Sequence, residues 1–293
     1  MLVFGIFWIA CLGILILIGV GFAASLPLMR RRMPDRADDP RLHGVACDEV
    51  HFASRDGLVL GGWWIPGSSP VSGTVILCPG QNGSMDKDIP QALPLQQAGY
   101  NVLMFDFRAH GRSEGEVVSM GAFEQADLFG ALDYLSQERE IERVGVLGFS
   151  MGAGVALMVA AQDERIAALV VDGAFPRLDG ILAGYMRIKG IPALLARGLA
   201  WLTLIAGSLR THYQLYRANP ILLADRIRIP VYFIHGALDL FVSTAEIEAL
   251  AARVAGPTEL WRVYDAGHRE AFSRHIDDYN RRVVAWFDQH LTV

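Results

Sequence analysis

Short apolar runs, each of four or five residues and rich in β-branched side chains, recur along this chain between segments of helical length. Strands that are apolar throughout are typical of a sheet buried on both faces, and such sheets are parallel. The alternation of strand and helix therefore predicts a mostly parallel, doubly wound α/β sheet. The predicted strands are 74–78, 102–105, 144–147, 168–171 and 231–234, and the predicted helices are 87–98, 121–138, 151–162, 244–254 and 271–290.

Two segments depart from this alternation. Early in the chain, β-like runs flank the tripeptide 55–57, and its Asp-Gly pair predicts a hairpin with antiparallel strands at one edge of the sheet. Later, nearly sixty residues separate the strands 168–171 and 231–234, which is improbable for a bare loop. We expect an inserted helical cap at about 177–219. A second membrane-spanning helix at 191–209 is the alternative, which a central arginine, a proline and three glycines disfavour.

The N-terminal segment 1–29 contains no charged residue and no histidine. About 20 apolar residues suffice to cross a bilayer, so this segment predicts a single transmembrane anchor. A helix buried in a soluble core and a cleaved signal peptide are the alternatives, but no basic residue precedes the run, as a signal peptide requires. Three arginines, 30–32, follow it and predict that the rest of the chain faces the cytoplasm. A polar linker, 30–46, then leads to one globular domain at 47–293.

The composition excludes several classes of protein. With 52% apolar and 19% charged residues, the chain is not predominantly disordered. Its formal net charge of −5 lacks the basic footprint that nucleic-acid binding requires, so no nucleic-acid partner is expected. Three scattered cysteines cannot form a disulfide scaffold or a four-ligand zinc site. Neither a nucleotide-binding glycine motif nor a zinc-protease motif is present, so no cofactor and no metal are expected.

The motif Gly148-Phe149-Ser150-Met151-Gly152 lies between a predicted strand and a helix of small residues. A G-x-S-x-G motif in this context predicts a nucleophile elbow, in which a sharp turn exposes the serine hydroxyl. The glycines leave room where side chains would collide. The pattern alone is weak in a glycine-rich chain, but the flanking strand and helix make Ser150 the candidate nucleophile.

A serine hydroxyl needs a base, and the base needs a carboxylate to orient it. His268 follows a β-like run and precedes the last helix, whereas Asp239 follows a predicted buried strand. The order Ser150, Asp239, His268 is the order expected of α/β-hydrolases. His110 is the competing base, and two other aspartates are the competing acids, namely Asp172 and Asp265.

An acyl-transfer site also needs two N–H donors for the oxyanion. One candidate is the backbone N–H of Met151, directly after the nucleophile. The other comes from the glycine-rich loop 79–84, where we expect Gln81 to supply it. An ordinary glycine turn is the alternative interpretation of this loop.

These motifs together resemble the α/β-hydrolase superfamily, in its serine-aminopeptidase-like and Bem46-like branch. The resemblance covers about 47–290, and its segments are 55–57, 79–83, 106–113, 148–152, 229–239 and 267–268. Members commonly carry His-Gly where this chain has Pro79-Gly80, a difference that leaves the backbone donor in place. The resemblance implies that segment 106–113, with His110, braces loops near the site.

The resemblance implies hydrolysis of an ester, a thioester or an amide. The expected function is a membrane-anchored serine esterase acting on a small acyl substrate, since both the anchor and the apolar cap suggest a hydrophobic acyl group. The cap residues could instead serve only to pack the cap on the core. Hydrolysis of an amide or peptide bond by the same triad is the first alternative, and a non-catalytic scaffold is the second. The sequence does not indicate an oligomeric state.

Overall fold

The computed structural model describes residues 2–33, 38–68 and 72–291. Its strands are β1 (Asp48–Ala53), β2 (Val59–Ile65), β3 (Gly73–Cys78), β4 (Tyr100–Phe105), β5 (Val144–Phe149), β6 (Ile166–Asp172), β7 (Val231–Gly236) and β8 (Thr258–Val263). They form one sheet in the order β1-β2-β4-β3-β5-β6-β7-β8. The pairs β1–β2 and β2–β4 are antiparallel, and all other pairs are parallel. The predicted fold class, including the antiparallel hairpin at one edge, is confirmed.

Helices cover both faces of the sheet. They are α1 (Leu2–Met29), α2 (Ile89–Gln97), α3 (Glu124–Arg139), α4 (Met151–Ala160), α5 (Leu178–Ile188), α6 (Ala193–Thr211), α7 (Thr244–Ala251), α8 (Ala271–Arg274) and α9 (Ile276–His290). The single helix predicted at 271–290 is instead two helices, because His275 has φ −138° and ψ 56° and interrupts the helical backbone.

The strands are apolar throughout because alternate side chains enter two separate cores. In β3, Ile76 packs into the core beneath α3 and α4, whereas Val75 and Leu77 pack into the core beneath α2 and α9. All three side chains are buried. A period of two places successive residues on opposite faces, so a strand covered on both sides cannot alternate apolar with polar residues.

Helices α5 and α6 form the predicted cap between β6 and β7, followed by short 3₁₀ turns up to Arg226. Helix α6 is long and apolar enough to cross a membrane, by length and composition alone. Both of its ends connect back to the sheet domain. Ser150 precedes α6 and Asp239 follows it, so a crossing at α6 would divide any site that needs both residues.

Helix α1 packs along α6. The C-terminal end of α1 is bonded to the sheet domain. The carbonyl of Met29 accepts a hydrogen bond from the N–H of Val118, and Arg32 forms an isolated β-bridge with His110. Met1 and residues 34–37 of the predicted linker lie outside the described residues. The proposed boundaries of anchor, linker and catalytic domain stay predictions.

Candidate active site

Ser150 occupies the turn between β5 and α4, as the motif predicts. Its φ is 49° and its ψ −108°, a conformation that non-glycine residues rarely adopt. The backbone holds this turn closed, since the N–H of Ser150 donates to the carbonyl of Asp172 at 2.9 Å and the N–H of Gly154 donates to the carbonyl of Ser150 at 3.1 Å. Strain fixed in this way by surrounding bonds is typical of functional sites.

Gly152 is required where the first turn of α4 meets the end of β3. A β-carbon there would lie 2.2 Å from the carbonyl oxygen of Cys78 and 2.6 Å from that of Pro79. Both contacts are far below van der Waals distance and involve backbone atoms. The glycine therefore lets the turn that carries Ser150 approach the loop that follows β3.

The structure brings Ser150, His268 and Asp239 together. The Ser150 Oγ lies 2.9 Å from His268 Nε2, and His268 Nδ1 lies 2.7 Å from Asp239 Oδ2. Because a carboxylate only accepts, Nδ1 carries the proton and donates to Asp239, which leaves Nε2 free to accept the hydroxyl proton. The three residues come from the carboxyl ends of β5, β7 and β8, which meet at one edge of the sheet.

Asp239 is held in its charged form. Burial raises the pKa of this carboxyl, but the hydrogen bond and charge of His268 and the N–H groups of Phe241 and Val242 outweigh burial, so the pKa stays below its ordinary value. Those N–H groups donate to Oδ1 at 2.7 and 3.2 Å. A buried carboxylate fixed on both oxygens can orient the imidazole and stabilise the imidazolium formed during proton transfer.

The glycine-rich loop after β3 lies beside the nucleophile. A β-carbon at Gly80 would be 3.6 Å from the Ser150 β-carbon. The side-chain amide of Gln81 donates to the carbonyl of Leu28 at the end of α1, at 2.9 Å, and the Gln81 carbonyl lies 2.9 Å from His110 Nε2. Gln81, directly after Gly80, is thus fixed through both its side chain and its backbone. Met151 begins α4, so its N–H is one of the unpaired donors of that helix terminus.

The side chains of the competing candidates have other hydrogen-bond partners. His110 is fully buried, and its other ring nitrogen, Nδ1, lies 2.8 Å from the Arg108 carbonyl, so it braces the loop that carries Gln81. Asp265 pairs with His275 at the surface. Asp172 is buried and accepts a hydrogen bond from the Tyr279 hydroxyl at 3.2 Å.

Sequence reasoning missed Arg269, the residue directly after the candidate base. Its guanidinium donates to the buried carboxylate of Asp88 at 2.6 Å and stacks over the Phe149 ring at 4.4 Å. The backbone of Arg269 has φ 59°. This side chain thereby connects the His268 loop to the segment that follows the glycine-rich loop and to the strand that carries Ser150. Its position directly after the candidate base was the only signal in the sequence.

Phe241 is a second residue that the motifs do not indicate. Its ring lies 5.0 Å from the His268 ring in an edge-on arrangement, and a β-carbon at Gly184 of α5 would be 2.4 Å from the Phe241 carbonyl oxygen. The cap therefore rests directly on the residue that covers the candidate base.

The carboxyl of Asp172 makes stability depend on pH. Burial raises its pKa from 3.8 to about 6, while the charges of Arg269 and His268 and the hydrogen bond from Tyr279 oppose the shift. Between pH 3.8 and about pH 6 the native state holds a proton on Asp172 that the unfolded state has lost. The unfolding free energy therefore falls as pH rises through this range. This difference in pKa corresponds to about 3 kcal/mol of unfolding free energy.

Asp172→Asn should remove this dependence. In urea unfolding from pH 4 to 7, the unfolding free energy of the variant relative to the parent is expected to increase with pH by up to about 3 kcal/mol. A difference that does not change with pH would mean that Asp172 titrates as it does in the unfolded chain. Asp265→Asn, at an exposed carboxylate, is the control.

Known proteins match most of this chain. Residues 73–187 match the family model described as alpha/beta hydrolase fold. An uncharacterized protein of Mycobacterium tuberculosis H37Rv is 31% identical over 225 residues, which cover 76% of this chain and 72% of that protein. The uncharacterized protein YfhR of Escherichia coli K12 is 27% identical over 258 residues, covering 84% and 83% of the two chains.

Solved structures extend the likeness to nearly the whole fold. An esterase of Pyrococcus furiosus superposes with a TM-score of 0.74 at 26% identity, covering 89% of this chain and 98% of its own. The enol-lactonase of Burkholderia xenovorans LB400 superposes with a TM-score of 0.60 at 21% identity, over 80% of this chain and 99% of its own. At that identity the second likeness is one of fold.

Proposed function

Because the chain belongs to the α/β-hydrolase superfamily and is a hydrolase, we propose that it is a serine esterase that cleaves carboxylic esters through an acyl-enzyme. The observation that carries the proposal is the pair of contacts from His268, 2.9 Å to the Ser150 hydroxyl and 2.7 Å to the Asp239 carboxylate. The esterase of Pyrococcus furiosus, similar over most of both chains, supports an ester as the substrate.

These positions support the following reaction. The Ser150 oxygen attacks the ester carbonyl while its proton passes to Nε2 of His268, and Asp239 stabilises the imidazolium. The N–H groups of Met151 and Gln81 stabilise the oxyanion. Collapse of the intermediate breaks the bond to the alkoxy group, which leaves with the proton from His268. Water then attacks the acyl-enzyme by the same route, releasing the acid and restoring the Ser150 hydroxyl.

The proposal is tested by measuring which acyl chain length the protein prefers and whether it cleaves esters faster than amides. Purified full-length protein in detergent would be assayed on p-nitrophenyl esters from acetyl to long-chain acyl and on aminoacyl p-nitroanilides. We expect esters to be cleaved at least tenfold faster than amides, with a preference for longer acyl groups. Faster cleavage of amides would instead support a peptidase with the same triad. Failure of a fluorophosphonate probe to label Ser150 would support a non-catalytic scaffold.

The proposal includes a single-pass anchor formed by α1, with the catalytic domain on the cytoplasmic side. The absence of charge in 1–29 and the arginines at 30–32 support it. In sealed, right-side-out vesicles, protease added outside is expected to leave the catalytic domain intact and to digest it after the membrane is permeabilised. Digestion before permeabilisation would place the domain on the opposite side.

A further inference from the structure

Helix α6 of the cap exposes large apolar side chains and buries small ones. Leu194, Trp201, Ile205 and Leu209 are 85, 43, 48 and 60% exposed, and their spacing of seven, four and four residues places them on one face. The face that packs against neighbouring helices is formed mainly by small residues, namely Ala196, Ala200, Thr203 and Gly207. A helix on the surface of a soluble protein shows the reverse pattern, so α6 is built for an apolar environment.

Helix α1 completes this arrangement. Its buried residues Gly21, Ser25 and Met29 recur every fourth position, which defines one packed face. A β-carbon at Gly21 would lie 2.8 Å from the Leu202 carbonyl oxygen, and one at Gly207 would lie 3.1 Å from the Met29 sulfur. Since residue 21 meets residue 202 and residue 29 meets residue 207, the two helices run in the same direction. They approach closely through small residues, as membrane helices commonly do.

The outer sides of these helices adjoin and are apolar. We call this surface the apolar cap face, and it consists of Ile18, Phe22 and Leu26 of α1 together with Leu194, Leu195, Trp201, Ile205 and Leu209 of α6, all of them exposed. It continues the apolar surface of the proposed anchor onto the cap. Exposed apolar surface of this extent marks a site of interaction.

Charge identifies what this surface faces. The segment 178–211 contains four basic residues and one acidic residue, although the chain as a whole has a net charge of −5. The four basic side chains are exposed, and they are Arg187, Lys189, Arg197 and Arg210. Apolar residues flanked by exposed basic residues match the surface of a bilayer that contains anionic phospholipids.

Helix α1 and the other cap helix, α5, contact residues beside the candidate active site. The carbonyl of Leu28 in α1 accepts the side-chain hydrogen bond of Gln81, and α5 packs on Phe241, which covers His268. The cap and α1 thus adjoin the triad through Phe241 and Gln81. A substrate that reaches Ser150 past the cap and α1 therefore approaches from the side of the molecule on which the apolar cap face lies.

We propose that the apolar cap face is inserted in the surface of an anionic phospholipid bilayer and that the site takes long-chain acyl esters from the lipid phase. The position of the cap is independent of the chemistry, whereas the substrate class rests on the proposed esterase function. Two experiments test these two parts separately.

The first experiment measures how deeply residue 195 of the cap lies in the bilayer. A lipid-sensitive fluorophore is attached at Leu195→Cys in the full-length protein, with Cys11 and Cys47 replaced by alanine, and nitroxide lipids are added as quenchers. Glu164→Cys is the control, because it is exposed just before the amino end of β6, at the opposite edge of the sheet from Ser150. We expect quenching at position 195 several times that at 164, and stronger quenching when phosphatidylglycerol is mixed with phosphatidylcholine.

Equal quenching at the two positions would overturn the proposal. So would shielding at position 195 that depends on protein concentration, because the face would then be covered by a second copy of the chain.

The second experiment compares substrates. In Leu194→Asn/Leu195→Asn, the apparent KM for a long-chain ester embedded in vesicles should rise about tenfold, since two leucines no longer enter the bilayer. Hydrolysis of a soluble short-chain ester should not change. The matched control is Leu42→Asn/Leu222→Asn, two leucines that are 77 and 53% exposed and lie outside the cap face.

The results separate the two claims. An equal loss on both esters would overturn substrate entry from the membrane, because the leucines would then support only the fold of the cap. If the parent protein cleaves no ester while quenching at position 195 persists, the esterase function and the substrate class fail together, but the membrane position of the cap stands.

Discussion

Ser150→Ala is expected to lower kcat on the best p-nitrophenyl ester by on the order of 10⁶-fold. The substitution removes only the hydroxyl that lies 2.9 Å from His268 Nε2, and alanine keeps the β-carbon in the same strained turn. The midpoint of urea unfolding should therefore stay within the error of the measurement. A small rate above the uncatalysed reaction should persist, since the oxyanion donors and substrate binding are left in place.

Ser136→Ala is the matched control, because this serine lies on α3 and its hydroxyl donates to Glu142 at the surface. It should retain full activity and full labelling by a fluorophosphonate. Loss of labelling in Ser150→Ala alone would assign the reactive hydroxyl. Retained turnover in that variant would refute the role of Ser150, and equal loss in both variants would indicate a defect of folding.

Local sequence signals were sufficient for the parts of the site that lie at strand ends. The motif around Ser150 requires its own turn, and Asp239 and His268 each follow a buried strand. In a parallel sheet the carboxyl ends of neighbouring strands meet at one edge, so identifying the strands was enough to predict that these residues converge. A serine, a histidine and an aspartate at one edge of the sheet then left few alternatives to a catalytic triad.

Contacts between distant segments could not be predicted in the same way. The bond between Arg269 and Asp88 joins residues 181 positions apart, and the bond from Gln81 to Leu28 joins the glycine-rich loop to α1. Neither partner lies in a motif that specifies the other. Such pairs depend on how helices and loops pack after the sheet has formed, which periodicity does not encode.

The cap illustrates a different limit. Apolar residues in 178–216 correctly predicted helices, but an apolar count does not tell which side of a helix is covered. The structure shows that small residues of α6 are buried and that Leu194 and Trp201 are exposed. The orientation follows from close packing against α1, which needs glycine at position 21, where a β-carbon would lie 2.8 Å from the Leu202 carbonyl oxygen.

Arg269→Met is expected to lower the unfolding free energy by about 3 kcal/mol and to reduce activity sharply. The substitution leaves Asp88, whose side chain is 2% exposed, without its cationic partner, and a buried charge left unpaired is strongly destabilising. Asp172, which is also buried, loses the nearby positive charge as well. Urea unfolding of the full-length protein in detergent, together with ester hydrolysis, measures the two effects.

Two further variants test whether the loss of stability comes from the unpaired charge of Asp88. Arg269→Met/Asp88→Asn removes both charges and should recover most of the stability, since breaking a buried pair costs more than deleting it. Arg262→Met breaks an exposed pair with Glu248 and should cost less than about 1 kcal/mol. A double variant no more stable than Arg269→Met would show that the pair is not the source of the loss.

Catalysis should not recover with stability in Arg269→Met/Asp88→Asn. Methionine at position 269 cannot donate to residue 88, so the His268 loop loses its connection to the segment after Gly80, and a misplacement of about 1 Å can cost about 10²-fold in rate. We therefore expect a stable double variant with kcat lowered about 10²-fold and KM nearly unchanged. If kcat instead returned together with stability, Arg269 would serve the fold alone, and the position of His268 would depend only on Asp239 and Phe241.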